Sequence, residues 1–409
     1  MAPQRRNHVQ LHYWQPSIDE RYTTSSPESL SRDIEARRRE LGDDLVILGH
    51  HYQTDEVIAH ADFTGDSLKL SQLAAEQVTA RGSKHVVFCG VHFMAESADL
   101  LTPSDVSVIL PDLSAGCSMA DMADYDDAIE AWELIHESLR AQGWNGRIVP
   151  VTYVNSTAAI KAFVGRNGGA CCTSSNARSV FEWAMAGGTE PRRAEEDVKV
   201  LFLPDQHLGR NTGASFGLDV STQTCVYDPK RTHGGETLGG ATDEELLASS
   251  VILWAGHCSV HKLFRPEHCD QARQADPSVR VLVHPECCKE VVDKADLSGS
   301  TEFIIMTIEN APSGSSWVIG TEIHLVNRIA RAARERGVRV RMLSDCQCLC
   351  TTMYRIDQAH LLWVLDGLSE GKVLNQVRVH EDARADALLA LDRMLELPSN
   401  AGLKLEEID

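Results

Sequence analysis

Apolar runs separated by stretches with helical spacing recur along the chain and predict strands that alternate with helices. The runs DLVIL, HVVFC and VSVIL, all within the first 110 residues, are rich in Val, Ile and Leu. Stretches with apolar residues three and four apart follow most of these runs, as in amphipathic helices. Because the runs are apolar on both faces, we expect short parallel sheets covered by helices on both sides. The predicted fold class is α/β.

An internal repeat organises these elements. DLVILGHHYQ leads to ADFTGDS near the start, and VRVLVHPECC leads to ADLSGST much later. In both copies a strand ends in His, an Ala-Asp pair begins eleven residues after that His, and a hydroxyl residue lies seventeen after it. These matched positions are His50 and His284, Ala61 and Ala295, and Ser67 and Thr301.

A third, more divergent copy lies between the other two, where RIVPVTYVNSTAAIKAF leads to ACCTSSN. It carries Tyr153 and Asn155 at the strand end and Ser174 after it. The repeat predicts three pseudo-threefold-related α/β/α domains around a central site. The apolar run TEFIIMTIEN fits a buried strand or a helix, and its place in the repeat favours a helix. The predicted boundaries are an extension at 1–35, units at 36–122, 123–262 and 263–352, an insertion near 205–250, and a helical tail at 353–409.

The fourth strand of each copy runs into cysteine. These residues are Cys117, Cys258 and the cluster of Cys346, Cys348 and Cys350. Parallel sheets bind ligands beyond the carboxyl ends of their strands, so three units that face one axis would share a single cavity. Three separated cysteines suit a [4Fe-4S] cluster with one open iron. Zinc also suits thiolates, although the paired CxxC spacing of a zinc ribbon is absent.

Other strand-end residues supply the remaining chemistry. His50 and His284 are expected to titrate near neutral pH and to bind anions or move protons. Ser67, Ser174 and Thr301 precede predicted helices, whose N-termini favour carboxylate or phosphate. Candidate acids and bases for proton transfer are Tyr52, Tyr153 and Glu286.

Composition narrows the class of protein. The chain has 409 residues, with 39 Lys plus Arg against 59 Asp plus Glu, and its net charge of −20 argues against a nucleic-acid partner. No apolar run is long enough for a membrane span, and no signal sequence is evident, so we expect a soluble, cytoplasmic protein. Because the cytosol keeps thiols reduced, the twelve cysteines favour metal or redox chemistry over disulfides. Cys89, Cys171 and Cys172 are expected in the core.

Together these motifs resemble the quinolinate synthase family, in its longer form. The stretches GHHYQ, GDSLKL, GCSMAD, VTYVNSTAAIKA, LPDQHLGRN, HCSVHKLF and IGTE carry the resemblance, which spans about residues 44 to 356. It implies three α/β domains around a [4Fe-4S] cluster whose open iron acts as a Lewis acid. It also implies condensation of iminoaspartate with dihydroxyacetone phosphate to quinolinate, phosphate and two waters in NAD biosynthesis. Our mechanistic hypothesis is that phosphate leaves early.

The resemblance also implies roles for individual residues. Cys117, Cys258 and Cys350 would hold the cluster, with His261 nearby. Cys350 directly precedes the matching TTM; relatives often have C-x-x-C-x-x-C where this chain has C-x-C-x-C, so Cys348 stays an alternative and Cys346 a redox candidate. Tyr52, Glu286, His50 and Tyr153 would be catalytic. The substrate-binding set would be His50, Ser67, Tyr153, Asn155, Ser174, His284, Glu286 and Thr301.

Two other classes of function fit the cysteines. A zinc enzyme predicts a colourless, oxygen-tolerant protein, and a redox-sensing protein predicts ligand binding without turnover. An aspartate oxidase or dehydrogenase is the expected source of iminoaspartate, by resemblance, as a transient partner.

Overall fold

Three separate sheets, parallel except for one edge strand, organise the chain in the computed structural model, which describes residues 15–345 and 348–398. Each unit has four parallel strands. Across the sheet they lie in the order second, first, third and fourth, counted along the chain. The same order recurs in the second and third units. Helices flank all three sheets, which confirms the predicted α/β class.

The first unit begins with two helices that precede its sheet. The helix α2 starts at Pro27, with Ser26 as its N-cap, and ends at Gly42, whose φ of 53° suits glycine. All six residues of the first strand are buried. The elements are α1 (Glu20–Thr23), α2 (Pro27–Leu41), β1 (Leu45–His50), α3 (Asp55–Ile58), β2 (Phe63–Gly65), α4 (Ser67–Arg81), β3 (His85–Cys89), α5 (His92–Leu101) and β4 (Ser107–Ile109).

The second unit contains one additional strand. Its elements are α6 (Tyr125–Ala141), β5 (Arg147–Tyr153), α7 (Ala158–Arg166), β6 (Ala170–Cys172), α8 (Ala177–Met185), β7 (Val198–Leu203), α9 (Gln206–Phe216), β8 (Thr224–Tyr227), α10 (Pro229–His233), α11 (Asp243–Ala248) and β9 (Val251–Trp254). The helix α9 follows the third strand of its unit, as α5 does in the first. The strand β8 pairs parallel with β9 and forms the edge of the sheet.

The third unit repeats the pattern without additions. Its elements are α12 (Pro266–Ala275), β10 (Arg280–Val283), α13 (Lys289–Lys294), β11 (Leu297–Ser298), α14 (Thr301–Glu309), β12 (Ser316–Gly320), α15 (Ile323–Glu335) and β13 (Arg339–Met342). The ambiguous run TEFIIMTIEN forms α14, which confirms the helix. Ser300 caps this helix by accepting the Phe303 N–H.

The end of the described chain returns to the first two units. It forms α16 (Gln358–Ser369), β14 (Gln376–Val377) and α17 (Glu381–Glu396). The strand β14 pairs antiparallel with β4 at the edge of the first sheet. The helix α17 packs against α7 and β6 of the second unit. The segment therefore joins two sheets that share no strand.

Two aspartates reproduce the repeat at the level of single hydrogen bonds. Asp62 donates its N–H to Ile47 O (2.8 Å), and its Oδ2 accepts the Ile47 N–H (2.7 Å). Asp296 bonds Val281 in the same two ways, at 2.9 and 2.6 Å. Each aspartate thus ties the strand that ends near a site histidine to the segment that follows the next helix. Asp62 is therefore structural.

The contact between α7 and α17 supports a test of packing. A Cβ added at Gly165 in α7 would lie 1.9 Å from the Asp386 carbonyl oxygen in α17. We expect Gly165→Ala to lower the free energy of unfolding by about 1–3 kcal/mol, because a backbone atom must move. In α9, a Cβ added at Gly213 would lie 3.5 Å from its nearest neighbour, which is an ordinary contact. Gly213→Ala should therefore raise the free energy of unfolding by about 0.5–1 kcal/mol. Chemical denaturation measures both, and equal changes would contradict the packing.

Candidate active site

One cavity lies where the carboxyl ends of the strands from all three sheets meet. The centres of water-sized spheres can occupy about 70 Å³ within it. Every site residue predicted from the sequence lines it: His50, Tyr52, Ser67, Cys117, Tyr153, Asn155, Ser174, Cys258, His284, Glu286, Thr301 and Cys350. The convergence follows from the fold, because equivalent strand ends of the three units face one centre.

The three lining cysteines occupy the same backbone turn. In each case the cysteine carbonyl accepts a hydrogen bond of 3.1 Å from the N–H four residues later, and a short 3₁₀ helix begins three residues after the cysteine. Those N–H groups belong to Asp121, Lys262 and Tyr354, and the 3₁₀ helices are Ala120–Met122, His261–Leu263 and Met353–Arg355. Cys117, Cys258 and Cys350 are therefore structural equivalents. Cys346 lies outside the described residues.

Burial controls the chemistry of these thiols. It raises the pKa of Cys117 to about 12 and that of Cys258 well above its usual value. The backbone N–H three residues later opposes the shift at each site, and the charges of Cys117 and Cys350 add to it at Cys258. Three thiolates partly buried in the lining of one cavity would require a cationic partner. The donor set fits iron or zinc.

Cys348, the alternative third ligand, lies elsewhere. Its side chain is fully buried in the apolar cluster beneath the third sheet, with Val281 and Val318. Cys348 is not among the residues that line the cavity. The structure thus places Cys350, rather than Cys348, beside Cys117 and Cys258. Cys89, Cys171 and Cys172 are also fully buried in the core, as predicted.

The two strand-end histidines share one hydrogen-bond pattern. His50 Nδ1 accepts the Tyr52 N–H at 3.1 Å, and His284 Nδ1 accepts the Glu286 N–H at 3.3 Å. Each neutral ring therefore carries its proton on Nε2. Burial lowers the pKa of both histidines to about 3. The prediction that they titrate near neutral pH is wrong, because their surroundings exclude water; they are neutral donors.

A line of hydrogen bonds joins all three units at the cavity. The Tyr52 hydroxyl lies 3.0 Å from Thr321 Oγ1 and 3.4 Å from Thr301 Oγ1. Thr321 Oγ1 is 3.1 Å from His261 Nε2, and His261 Nδ1 is 2.7 Å from Glu286 Oε2. Thr321 and His261 are both buried. Thr321 was missed from the sequence, although its position directly after β12 matches the other strand-end residues.

The electrostatics of this line separate donors from acceptors. Burial and the Glu286 charge raise the pKa values of Tyr52 and Tyr153 well above their usual range, so both phenols stay protonated. Burial alone would raise the pKa of Glu286, but its interactions with His261 and His284, including the His261 hydrogen bond, outweigh burial and leave this pKa below its usual range. Glu286 is therefore an anion at neutral pH.

Hydroxyl residues lie at the starts of helices around the cavity. Ser67 and Thr301 are the first residues of α4 and α14, and Ser174 lies shortly before α8. The positive end of each helix dipole favours an anion at such a position. The cavity thus presents hydroxyl groups and helix N-termini that suit carboxylate or phosphate groups.

Two further polar side chains face this region. Asn155 Oδ1 is buried and has no hydrogen-bond partner among the described residues. Asp66, the N-cap of α4, lines the cavity and accepts the Ser175 hydroxyl at 3.2 Å. Burial raises the pKa of Asp66. Its position directly before Ser67 is the sequence signal that marks it as a site residue.

A metal set other than three sulfurs is also present. Ligand atoms of Cys258, His261 and Glu286 lie within 4.8 Å of one another. Cys258 belongs to both sets, so the two sets cannot be filled independently. The three cysteines occupy equivalent turns in the repeat, and this equivalence favours them over the mixed set as the metal ligands.

Three α/β units around one cavity, lined by equivalent thiols and polar side chains, have the architecture of an α/β enzyme with a candidate metal site. A family model described as quinolinate synthetase A protein matches residues 32–396. The chain belongs to the quinolinate synthase family, as the resemblance indicated.

Curated relatives agree with this assignment. The quinolinate synthase of Acidobacterium capsulatum is 53% identical over 377 residues, which cover 92% of this chain and 95% of the relative. That of Rhodopirellula baltica is 49% identical over 384 residues, covering 91% and 92%. That of a Nocardioides species is 52% identical over 380 residues, covering 92% and 91%. Within the described residues, no helix has the length and apolarity needed to cross a membrane.

The buried histidines give the stability a defined pH dependence. His50 has a pKa of about 3 when folded and near 6.5 when unfolded, so between these values only the unfolded chain binds the proton. The free energy of unfolding therefore falls as the pH falls through this window. The free energy of unfolding should therefore fall less between pH 7.5 and 5.0 in His50→Gln than in the parent protein, by roughly 2 kcal/mol. Chemical denaturation at the two pH values measures it. His380→Gln, at an exposed position, is the control; the same loss in both variants would contradict the shift.

Proposed function

We propose that this protein condenses iminoaspartate with dihydroxyacetone phosphate to give quinolinate, phosphate and two waters, as a step in NAD biosynthesis. The observation that carries the proposal is the same cysteine turn, built three times around one buried cavity. The family assignment supports the named reaction. The residues of the cavity account for the binding of two anionic substrates.

We infer that Cys117, Cys258 and Cys350 hold a [4Fe-4S] cluster in this cavity. Three equivalent thiols leave one of four irons without a protein ligand. The raised thiol pKa values are consistent with sulfurs that become thiolates only beside a cation. When bound, the cluster would supply an open iron that acts as a Lewis acid for loss of hydroxide.

Substrate binding falls to neutral donors and helix N-termini. The two substrates together carry two carboxylates and one phosphate. His50 and His284 would donate Nε2–H to these anions without a change of protonation near neutral pH. Ser67 and Thr301 would add hydroxyl donors where the dipoles of α4 and α14 favour negative charge. Asn155 and Ser174 would complete the contacts from the second unit, beside Tyr153.

Proton transfer would use the line from Tyr52 to Glu286. Tyr52 and Tyr153 are protonated at neutral pH and would act as donors. Glu286 would stabilise positive charge on His261 through its 2.7 Å hydrogen bond, as a carboxylate does for a catalytic histidine. Thr321 would relay a proton between His261 and Tyr52. These groups would serve the two dehydrations and the tautomer changes that form the ring.

The test is quinolinate formation by protein purified without oxygen. Iminoaspartate is generated in the assay by an aspartate oxidase, and dihydroxyacetone phosphate is added. We expect about four irons and four sulfides per chain, and one phosphate released per quinolinate. Full cluster content without quinolinate would overturn the reaction. About one zinc without sulfide would overturn the cluster and leave a zinc site in its place.

The proposed cellular setting follows from the same chemistry. A cluster held by thiolates persists in a reducing compartment, so we propose a cytoplasmic enzyme. We propose that an aspartate oxidase or dehydrogenase supplies iminoaspartate as a transient partner. No stable complex is required, because the substrate is a small molecule.

A further inference from the structure

Arg328 of the third unit holds the loop that carries His50 and Tyr52 in the first unit. From α15, its Nη1 donates to His51 O at 2.9 Å and its Nη2 donates to Gln53 O at 2.7 Å. Arg328 is thus bound across a unit boundary to the backbone on either side of Tyr52. It does not line the cavity.

Asn211 of the second unit holds the matching loop of the third unit. From α9, its Nδ2 donates to Pro285 O and Cys287 O, both at 2.8 Å. These carbonyls lie one and three residues after His284, as the carbonyls of His51 and Gln53 lie one and three residues after His50. Asn211 therefore makes the same contact on either side of Glu286.

The two donors are equivalent in the fold. Arg328 lies six residues after Glu322, the N-cap of α15, and Asn211 lies six residues after Asp205, the N-cap of α9. Each helix follows the third strand of its unit and reaches the first-strand loop of the next unit around the cavity. Different side chains at one structural position thus make the same pair of contacts.

The contact fixes the shape of the loop it binds. In both loops the N–H three residues after the histidine donates to the histidine carbonyl, at 2.9 Å from Gln53 and 3.0 Å from Cys287. In this turn the carbonyls one and three residues after the histidine accept from Arg328 or Asn211. Asn211 Oδ1 is buried without a partner among the described residues, which costs free energy. The amide is therefore placed for its two donated bonds.

The remaining boundary is built differently. The corresponding position of α5 is Ser97, whose hydroxyl bonds Phe93 O of its own helix at 2.8 Å. The loop after β5 is instead held by Lys161, which donates to Ser156 O within the second unit. That loop carries Tyr153 rather than histidine. At this boundary Glu96 of α5 instead accepts the Ala158 N–H at the start of α7, at 3.0 Å. The paired donation to two loop carbonyls is thus found at the two loops that contain a histidine.

We propose that Arg328 and Asn211 are positioning residues for the reaction given under Proposed function, on which this inference rests. Each residue fixes the backbone of a loop in a neighbouring unit. That loop donates an N–H to its histidine, which sets the tautomer, and it carries one proton-transfer group. Arg328 sets His50 and Tyr52, and Asn211 sets His284 and Glu286. Neither touches substrate, so both act on the rate through the loops.

The experiment uses Arg328→Ala and Asn211→Ala in the full enzyme prepared without oxygen, with Arg331→Ala as the matched control. Arg331 neighbours Arg328 on α15 and pairs with Asp55, without the two carbonyl contacts. Amide hydrogen exchange should rise about tenfold or more at residues 52–53 in Arg328→Ala and at residues 286–287 in Asn211→Ala. Each variant should leave the other loop unchanged.

Turnover supplies the second readout. Because a shift of about 1 Å in a reacting group costs up to 10²-fold, kcat should fall roughly 10–100-fold in both variants, with KM for dihydroxyacetone phosphate within about threefold. Guanidinium at about 10 mM should restore part of the kcat of Arg328→Ala alone, by filling the site of a lost guanidinium group. If Arg328→Ala does not fold, Arg328→Lys replaces it; a fully active Arg328→Lys would overturn the proposal.

The outcomes separate this inference from the reaction itself. Unchanged exchange in both loops, or changed exchange with an unchanged kcat, would overturn the positioning role. A wild-type enzyme that forms no quinolinate would overturn the proposed reaction instead. In that case the exchange measurements still decide whether the two residues hold the two loops.

Discussion

Cys350→Ala is expected to lose the iron–sulfur cluster and to reduce quinolinate formation by about 10³-fold or more, since a Lewis-acidic metal contributes several kcal/mol to catalysis. The expectation follows from the turn that Cys350 shares with Cys117 and Cys258, since all three cysteines line one cavity. Iron and sulfide content, the visible spectrum and the rate of quinolinate formation measure the effect. The far-ultraviolet circular dichroism should remain that of the parent protein.

Cys348→Ala is the matched control, two residues away on the same segment. Cys348 is buried in the apolar cluster beneath the third sheet and lies outside the lining of the cavity. Its replacement should cost about 1 kcal/mol of stability through the small void it leaves, and should keep the cluster. A Cys348→Ala variant without iron, beside a Cys350→Ala variant with full iron, would reverse the ligand assignment.

Glu286→Gln is expected to lower kcat by about 10²- to 10⁴-fold with little change in iron content. The substitution preserves the volume of the side chain but removes the charge that His261 contacts at 2.7 Å. His261 then loses the group that would stabilise its cationic form, and the line to Tyr52 through Thr321 can no longer hold the transferred proton. Steady-state kinetics between pH 6 and 9 measure the effect.

Glu35→Gln gives a comparison of the same chemistry away from the cavity. Glu35 Oε1 lies 2.7 Å from His60 Nδ1, the same separation as in the Glu286–His261 pair. Its loss should change kcat by less than about twofold, because neither partner lines the cavity. Similar losses of kcat in both variants would mean that Glu286 serves packing rather than the reaction.

The repeat in the sequence was sufficient to predict the three sheets and the place where their ligand-binding ends meet. The prediction succeeds because strand-end residues in parallel sheets share one edge, so matched offsets become matched positions in space. The repeat did not predict the two edge strands, β8 and β14. The strand β14 has two residues, and β8 lies in a segment rich in Gly and Thr, so neither shows an apolar period.

Other features of the site depend on contacts between units. Thr321, Asn211 and Arg328 contact loops that are remote in sequence, and no spacing within one unit reveals such a partner. The low pKa of His50 and His284 arises from exclusion of water, which exists only after the units close together. Sequence patterns thus predicted which residues meet, whereas their charge states required the structure.

The packing of β14 and α17 against the first two units has a consequence for folding during translation. β14 completes the edge of the first sheet and α17 covers the second unit, yet both leave the ribosome after the third unit has been synthesised. A nascent chain therefore exposes the β4 edge and the apolar face of α7 until residue 396 emerges. Release of the polypeptide before this segment is made would leave these two surfaces open to association with other chains.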